Sequence, residues 1–302
     1  MEKTKVKKAQ ICLFVFNRLA ETKKTVEALQ SNFLAEEYHL NIFSDGPRSL
    51  QDQKKIQEVR DYVNLIEGFK SIKVLESDEN KGLAKSIIDG VSQVLKLSDC
   101  VIVLEDDLVT SPNFLDFMEQ ALSYYEDDKN VISISGFTFN MPSLPGEKDY
   151  YFGYRASSWG WAVWKDRWNS IDWEISDYKA FIKNKEEKKR FKKGGSDLVR
   201  MLRNQMNGKI DSWAIRFCYN QFKSDLKTVF PTISKVSNIG FGEDATHTTG
   251  ATRFRTKLDV GNKRNFHFDK FSKMDKNLVK EFSHFFSSRT IILDKLISFI
   301  RK

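Results

Sequence analysis

An α/β fold on a mainly parallel, doubly wound sheet is what this sequence predicts, and three observations predict it. Apolar runs of strand length alternate with segments of helical spacing through the first half of the chain. One run, Val101 Ile102 Val103 Leu104, is apolar throughout and ends in three consecutive carboxylates, Glu105, Asp106 and Asp107. Polar, turn-forming residues follow the first three runs as well. Alternation of this kind gives parallel strands joined by right-handed crossovers. A strand without a polar face is buried on both sides, so its carboxyl end opens into the crevice where open α/β sheets take ligands.

In order along the chain, residues 11–16 form the first strand, and Val26, Leu29 and Phe33 carry helical spacing after Arg18. Residues 40–43 form the second strand, followed by a helix marked by Ile56, Val59, Val63 and Ile66. Residues 72–75 form the third, and Leu83, Ile87, Ile88, Val91 and Leu95 make a strong helical stripe. Residues 101–104 form the fourth. Phe114, Leu115, Met118, Ala121, Leu122 and Tyr125 mark another helix, and residues 131–134 a fifth strand.

At 302 residues the chain can bury a large core, and 24 Phe with 9 Tyr suit both that core and stacking surfaces. A formal net charge of +8 favours an anionic partner: a nucleotide, a phospholipid surface or nucleic acid. Cys12, Cys100 and Cys218 lie far apart with no metal-ligand spacing and read as buried free thiols of a reducing compartment. No signal peptide is visible, and no run approaches the roughly 18 apolar residues of a membrane span. These features point to a cytoplasmic protein.

The polar residues at the strand ends all fall on one edge of the sheet: Asn17 Arg18, then Ser44 Asp45 Gly46 Pro47, then Asn80 Lys81 Gly82, then the acidic triplet. Each has a plain alternative. Asp45 Gly46 Pro47 makes a turn, Asn80 Lys81 Gly82 a helix entry, and the triplet a solvated acidic loop before a helix starting near Ser111 Pro112. As a site, Asp45 accepts from a base or ribose, Gly82 lets backbone approach a ligand, and Arg18 or Lys85 faces phosphate. The triplet suits a hard divalent metal carrying a diphosphate. With no Gly-x-Gly-x-x-Gly and no Gly-x-x-x-x-Gly-Lys-Ser/Thr, a dinucleotide oxidoreductase or P-loop nucleotidase is disfavoured.

The series Phe16 Asn17 Arg18, Ser44 Asp45 Gly46, Asn80 Lys81 Gly82 and Glu105 Asp106 Asp107 resembles the donor domain of GT-A fold glycosyltransferases. It is similar to the bacterial family two type and to the N-acetylglucosaminyltransferase I group, whose Asp-x-Asp equivalent is also Glu-Asp-Asp. The resemblance continues through Ser158 Trp159 Gly160 Trp161, Asp211 Ser212 Trp213, and Ile233 Ser234 to Gly240 with Thr246 His247 Thr248, covering roughly residues 10–250. Leu19 stands where many bacterial relatives carry Pro, and Trp159 where the Glu-Asp-Asp group has Leu.

The resemblance implies roles for these residues. Asp107 would bind Mn²⁺ or Mg²⁺ bridging the nucleotide diphosphate, Asp106 the ribose or the metal's water shell, and Glu105 the donor sugar. Asn17, Arg18, Asp45, Gly46, Asn80, Gly82 and Lys85 would line the nucleotide site. Apart from the resemblance, indole faces suit sugar stacking, so Trp159 and Trp161, with Gly160 between them, are expected to flank the sugar, while Trp164 and Trp168, i and i+4 on a helix, read as core. Asp211 matches the inverting base, and it can at the same time cap the helix that follows. His247 reads as a metal or phosphate ligand or as an exposed loop histidine.

The basic run over residues 183–193 reads as a solvated helix face, or else a surface for an anionic acceptor. Ile292, Leu293, Leu296, Phe299 and Ile300 share one face of a last helix, which can lie on an anionic bilayer, meet another subunit or dock on its own domain. The expected organisation is a GT-A domain over residues 1–250, with its nucleotide part near 10–110 and its acceptor part near 130–250. A basic, mostly helical extension covers 251–302. The expected activity is metal-dependent, inverting transfer of a hexose from a nucleotide diphosphate sugar, a UDP-sugar, to a glycan, glycoprotein or lipid-linked acceptor at or near the inner face of the cell membrane. The alternatives are a sugar nucleotidyltransferase, and a non-catalytic basic module binding nucleic acid or membrane. The first reading calls for no nucleic acid.

Overall fold

The computed structural model describes residues 8–240, 252–287 and 289–292. Along them run β1 (Gln10–Val15), α1 (Leu19–Gln30), β2 (His39–Ser44), α2 (Leu50–Val63), β3 (Ser71–Glu76), α3 (Leu83–Val94), β4 (Cys100–Glu105), β5 (Leu108–Thr110), α4 (Phe114–Tyr125) and β6 (Val131–Ser135). Then follow β7 (Tyr150–Gly153), β8 (Trp161–Trp164), α5 (Lys165–Asn169), α6 (Tyr178–Phe181), α7 (Lys185–Phe191), α8 (Leu198–Met206), α9 (Trp213–Lys223), β9 (Lys227–Pro231), β10 (Val236–Asn238) and α10 (Lys276–Phe285).

Eight strands form one sheet in the order β3-β2-β1-β4-β8-β6-β9-β7, and β5 pairs with β10 in a small antiparallel ribbon. β1 is parallel to β2 and β4, β2 to β3, and β6 to β9. β8 runs antiparallel between β4 and β6, and β7 antiparallel to β9 at the edge. All but β7 and β8 therefore point the same way, and the mainly parallel sheet expected from the alternation is present. What the periodicity did not reveal are the short strands β5, β7, β8, β9 and β10, of three to five residues each; β8, Trp161–Trp164, is four buried residues long, too short to carry a period.

The sheet divides its side chains between two layers with the period of two that a strand imposes. Ile11, Leu13 and Val15 of β1 join Val26 and Leu29 of α1 and Phe114 and Met118 of α4. Cys12 and Phe14 point the other way, to Ile87 and Val91 of α3 and Trp213 and Phe217 of α9. Burial of each such aliphatic or aromatic side chain contributes about 1.5–3 kcal/mol. A third cluster lies under α6 to α8, where Phe181, Phe191, Leu198 and Leu202 meet Ile215, Cys218 and Tyr219 of α9.

Residues 255–275 form an irregular strap across α4 and β7. Phe266 packs edge-on to Phe117 at 5.2 Å, Tyr125 donates to the Asp269 carbonyl at 2.8 Å, and Arg264 pairs with Asp116 at 2.9 Å. Buried Lys235 pairs with Asp259 and pins the strap's start. Asp275 caps α10 by accepting from the Asn277 and Leu278 amides, and Phe282 then packs on Phe139 and Phe230. The last amphipathic stripe falls mostly outside the described residues. Its first member, Ile292, is exposed. Among the described residues no helix is long and apolar enough to cross a membrane, and all three cysteines are buried free thiols.

Candidate functional site

The loops that follow β1, β2, β3 and β4 meet on the carboxyl edge of the sheet, and three linked groups of polar residues occupy it. The innermost is the acidic triplet. β1 and β4 are paired so that Phe14 lies opposite Glu105, and the next two acids turn toward Arg18, at the start of α1. One guanidinium nitrogen of Arg18 binds Asp106 and the other binds Asp107 Oδ2 at 3.1 Å. The Asp106 carbonyl accepts from Thr25 Oγ1 at 2.9 Å. From above, β10 closes the group: the Ile239 amide donates to the Asp107 carbonyl at 2.9 Å, and Gly240 lies so near that a Cβ there would overlap Asp107 Oδ2.

Three acids around one arginine leave negative charge short of compensation. Burial pushes the Glu105 carboxyl up to about 8, with Asp107 and Asp106 adding to the rise and Arg18 opposing it. Burial likewise pushes Asp106 up to about 6 and raises Asp107, against the pull of Arg18 in both cases. Among the described residues no three His, Cys, Asp or Glu side chains converge as a metal cage. Oxygen donors at the mouth of a crevice nevertheless fit a hard dication, which binds one or two protein carboxylates and completes its shell with phosphate oxygens and water.

The second group is built on Asp45. Its carboxylate accepts from the amides of Gly46 and Lys81 at 2.9 Å, the amide of Gly82 at 3.0 Å and the Asn80 side chain at 3.1 Å. Four donors fill the acceptor positions of a carboxylate. Asp45 thus pins the β3–α3 turn to the end of β2, a correction to its expected use as a free acceptor for base or ribose. Gly82, at φ +76°, caps α3, and no atom stands within 4 Å of where its Cβ would be, leaving backbone open to a ligand. Beside this turn opens a cleft of about 160 Å³ lined by Ser44, Asp45, Glu76, Ser77, Lys81 and Asp89 among others. Arg60 braces it, donating to Ser44 Oγ at 3.1 Å and to the Ser77 carbonyl at 2.7 Å. Lys85 pairs with Asp89 at 2.9 Å on the exposed side of α3.

Asn17 anchors the third group, donating to Asp52 at 2.7 Å, with Arg48 on the same carboxylate at 3.1 Å and stacked over Phe16 at 4.7 Å.

On the far side of β4, Trp161 is 2% exposed, sandwiched in an indole cluster with Trp213 at 4.5 Å and Trp168 at 5.7 Å. It has no free face for a sugar, which corrects the expectation that it flanks one. Trp159 is partly buried against Phe137 at 4.6 Å and Phe254 at 5.2 Å. Gly160, at φ +58°, lets the chain pass under Val236 between these two tryptophans. Asp211 stands at the start of α9 with its side chain 62% exposed and held by Arg216 at 3.0 Å. The cap of α9 is Ser212, which accepts from the Ile215 amide, so the alternative of Asp211 as cap is also corrected. His247 lies outside the described residues. Sequence reasoning missed Asn238, which hydrogen-bonds Asp107, together with Gly240 and Arg60. The one signal for the first two was their place at the end of the resemblance.

A family model described as glycosyl transferase family 2 matches residues 10–178, more than half of the chain. None of the curated proteins matches the sequence. Among solved structures the chain is similar to the mannosyltransferase PcManGT from Pyrobaculum calidifontis in complex with GDP-Man and Mn²⁺, at 8% identity and TM-score 0.37, over 54% of this chain and 46% of that one. It is also similar to S. aureus TarS, at 14% identity and TM-score 0.34 over 54% and 30%, and to TarS 1–349, at 10% and 0.39 over 75% and 59%. The chain spans less than two thirds of each.

Proposed function

The chain belongs to glycosyl transferase family 2, and from that membership and its GT-A architecture we propose that it transfers a hexose from a UDP-sugar to a saccharide, glycoprotein or lipid-linked acceptor, with inversion and with help from Mn²⁺ or Mg²⁺. The observation that carries the reading is the acidic triplet on the crevice edge, with Asp106 buried, Glu105 and Asp107 half-buried, and both aspartates paired with the one guanidinium of Arg18. In this reading residues 1–250 carry both halves of the site and 251–302 are the extension.

The nucleoside lies in the cleft beside the β3–α3 turn, where Asp45 fixes the geometry that Gly82 and Lys81 present. Asp107, held against Gly240, and Asp106 supply oxygens to the dication. A dication there would neutralise the diphosphate as the glycosidic bond breaks. Glu105, the first acid of the triplet, faces the donor sugar. Arg18 bridges the two aspartates and limits how much negative charge they add. On the acceptor side Asp211, exposed and oriented by Arg216, takes the proton of the attacking hydroxyl, which single displacement requires on the face opposite the diphosphate.

Calorimetry of the intact chain with a panel of nucleoside diphosphate sugars, with and without Mn²⁺, tests the donor and the metal. Tight binding of a UDP-sugar only with Mn²⁺ is expected. Equal binding without a dication overturns the metal reading, and product NMR showing an α linkage from an α donor overturns inversion.

A further inference from the structure

The net charge of this protein has an address. Residues 178–209, from α6 through the turn after α8, hold eleven Lys and Arg against three acids. That is the whole formal excess of +8, since the remaining residues balance 38 basic with 38 acidic groups. Two of the three acids are occupied by cations from outside the lobe: Asp197 by Arg155 at 2.7 Å and Glu187 by Lys223 at 3.0 Å. All of the lobe's Lys and Arg but Lys188 are exposed. The apolar sides of α6, α7 and α8 are buried in the lobe's own cluster with α9, so what the lobe turns outward is charge with no apolar stripe beside it. The lobe runs through Lys209 straight into Asp211, the open carboxylate at the start of α9.

We propose that this lobe, with Lys185, Lys189 and Lys192 of α7 and its following turn and Arg200 and Arg203 of α8, is the docking surface for a linear polyanionic acceptor, a glycan chain bearing repeated anionic groups. The inference rests on the transferase reading only for the word acceptor. Electrostatic attraction to a regularly charged chain needs no shaped pocket, raises local acceptor concentration beside the base, and lets the chain slide from one unit to the next. A bilayer is the weaker fit, because stable binding at a membrane surface joins basic residues to an apolar face, and here that face is buried.

The test compares the full-length wild type, the triple variant Lys185→Gln/Lys189→Gln/Lys192→Gln, and a control triple, Lys54→Gln/Lys55→Gln/Lys96→Gln, at exposed positions on α2 and the turn after α3, outside the lobe. Binding of polyphosphate and of polygalacturonate is measured across a salt series, with phosphatidylglycerol vesicles and neutral dextran as further probes. The lobe variant should lose about tenfold in polyanion affinity and show a shallower salt slope, while the control stays near wild type. Polyphosphate against polygalacturonate separates phosphate from carboxylate as the recognised group. Equal losses in both triples, or a lobe-dependent loss seen with vesicles and not with the soluble polymers, overturns the proposal. Mn²⁺-dependent binding of the UDP-sugar, measured on the same three proteins, should be identical in all. Its absence from wild type would count against the transferase reading and leave the polyanion result standing.

Discussion

Asp211 and Ser212 are neighbours with separable tasks, and that separation makes the base assignment testable. Ser212 supplies the cap of α9, so Asp211→Asn should leave the melting temperature unchanged while kcat falls about 10²-fold, the usual contribution of a positioned general base. An Asn variant with wild-type turnover in a nucleotide-release assay would remove Asp211 from the mechanism. Asp107→Asn should abolish the Mn²⁺-dependent part of UDP-sugar affinity, read by calorimetry, because it replaces an anionic oxygen donor by a neutral one. The triplet was legible at this scale because three adjacent charges after an apolar strand have few cheap places to go. The roles of Arg18 and Asp45 were not. Their partners are the acids 88 and 89 residues away for the one and the amides of residues 81 and 82 for the other, and no spacing in the sequence announces either.

Among elements, the β3–α3 turn depends on a single carboxylate from another strand. Asp45→Ala leaves the amides of Gly46, Lys81 and Gly82 without that acceptor. Each stranded donor costs about 1–3 kcal/mol if it stays dry, less where water reaches it. Thermal melts should fall and the apparent donor KM should rise together, whereas a residue that only touched nucleotide would move KM alone. Strands β1 to β4 and their helices were readable because apolar runs of strand length alternate there with helices long enough to show their period. β8 was not, and its insertion between β4 and β6 is what buries Trp161, so the missed strand and the misplaced tryptophan have one cause.

For the molecule as a whole, the strap's attachment has a pH dependence. Burial pushes the Asp259 carboxyl up, but Lys235, the Gly261 amide and Asn113 outweigh it and hold the group below the usual carboxylate range. A depressed folded value means stability that is fully present above the unfolded value of about 3.9 and is lost as pH falls through the folded one. Asp259→Asn, which breaks a buried ion pair, should cost about 3 kcal/mol at neutral pH. Melts of the two proteins should converge as pH falls through the depressed folded value of Asp259, and curves that stay parallel would show that the pair is not what holds the strap. In the sequence that strap was legible only as part of a basic extension expected to be mostly helical, and residues 255–275 are not helical. Its aromatic residues have no period because they follow the surface of α4 rather than a helix or strand of their own.

The strap's hydrogen bonds also carry a consequence in time. Asn113 meets the Lys263 carbonyl, Gln120 the Arg264 carbonyl and Tyr125 the Asp269 carbonyl, partners separated by 150, 144 and 144 residues. As the chain leaves the ribosome, the half built on β1 to β4 can close on near neighbours early, but the outer face of α4, with Phe117, Tyr124 and Tyr125, waits uncovered until residues 263–269 arrive. Chain closure over such separations is slow, and aromatic surface left bare meanwhile invites association with other nascent chains. Yield on overexpression should therefore respond to slower synthesis and to holdase chaperones more than to any change in the stability of the finished fold.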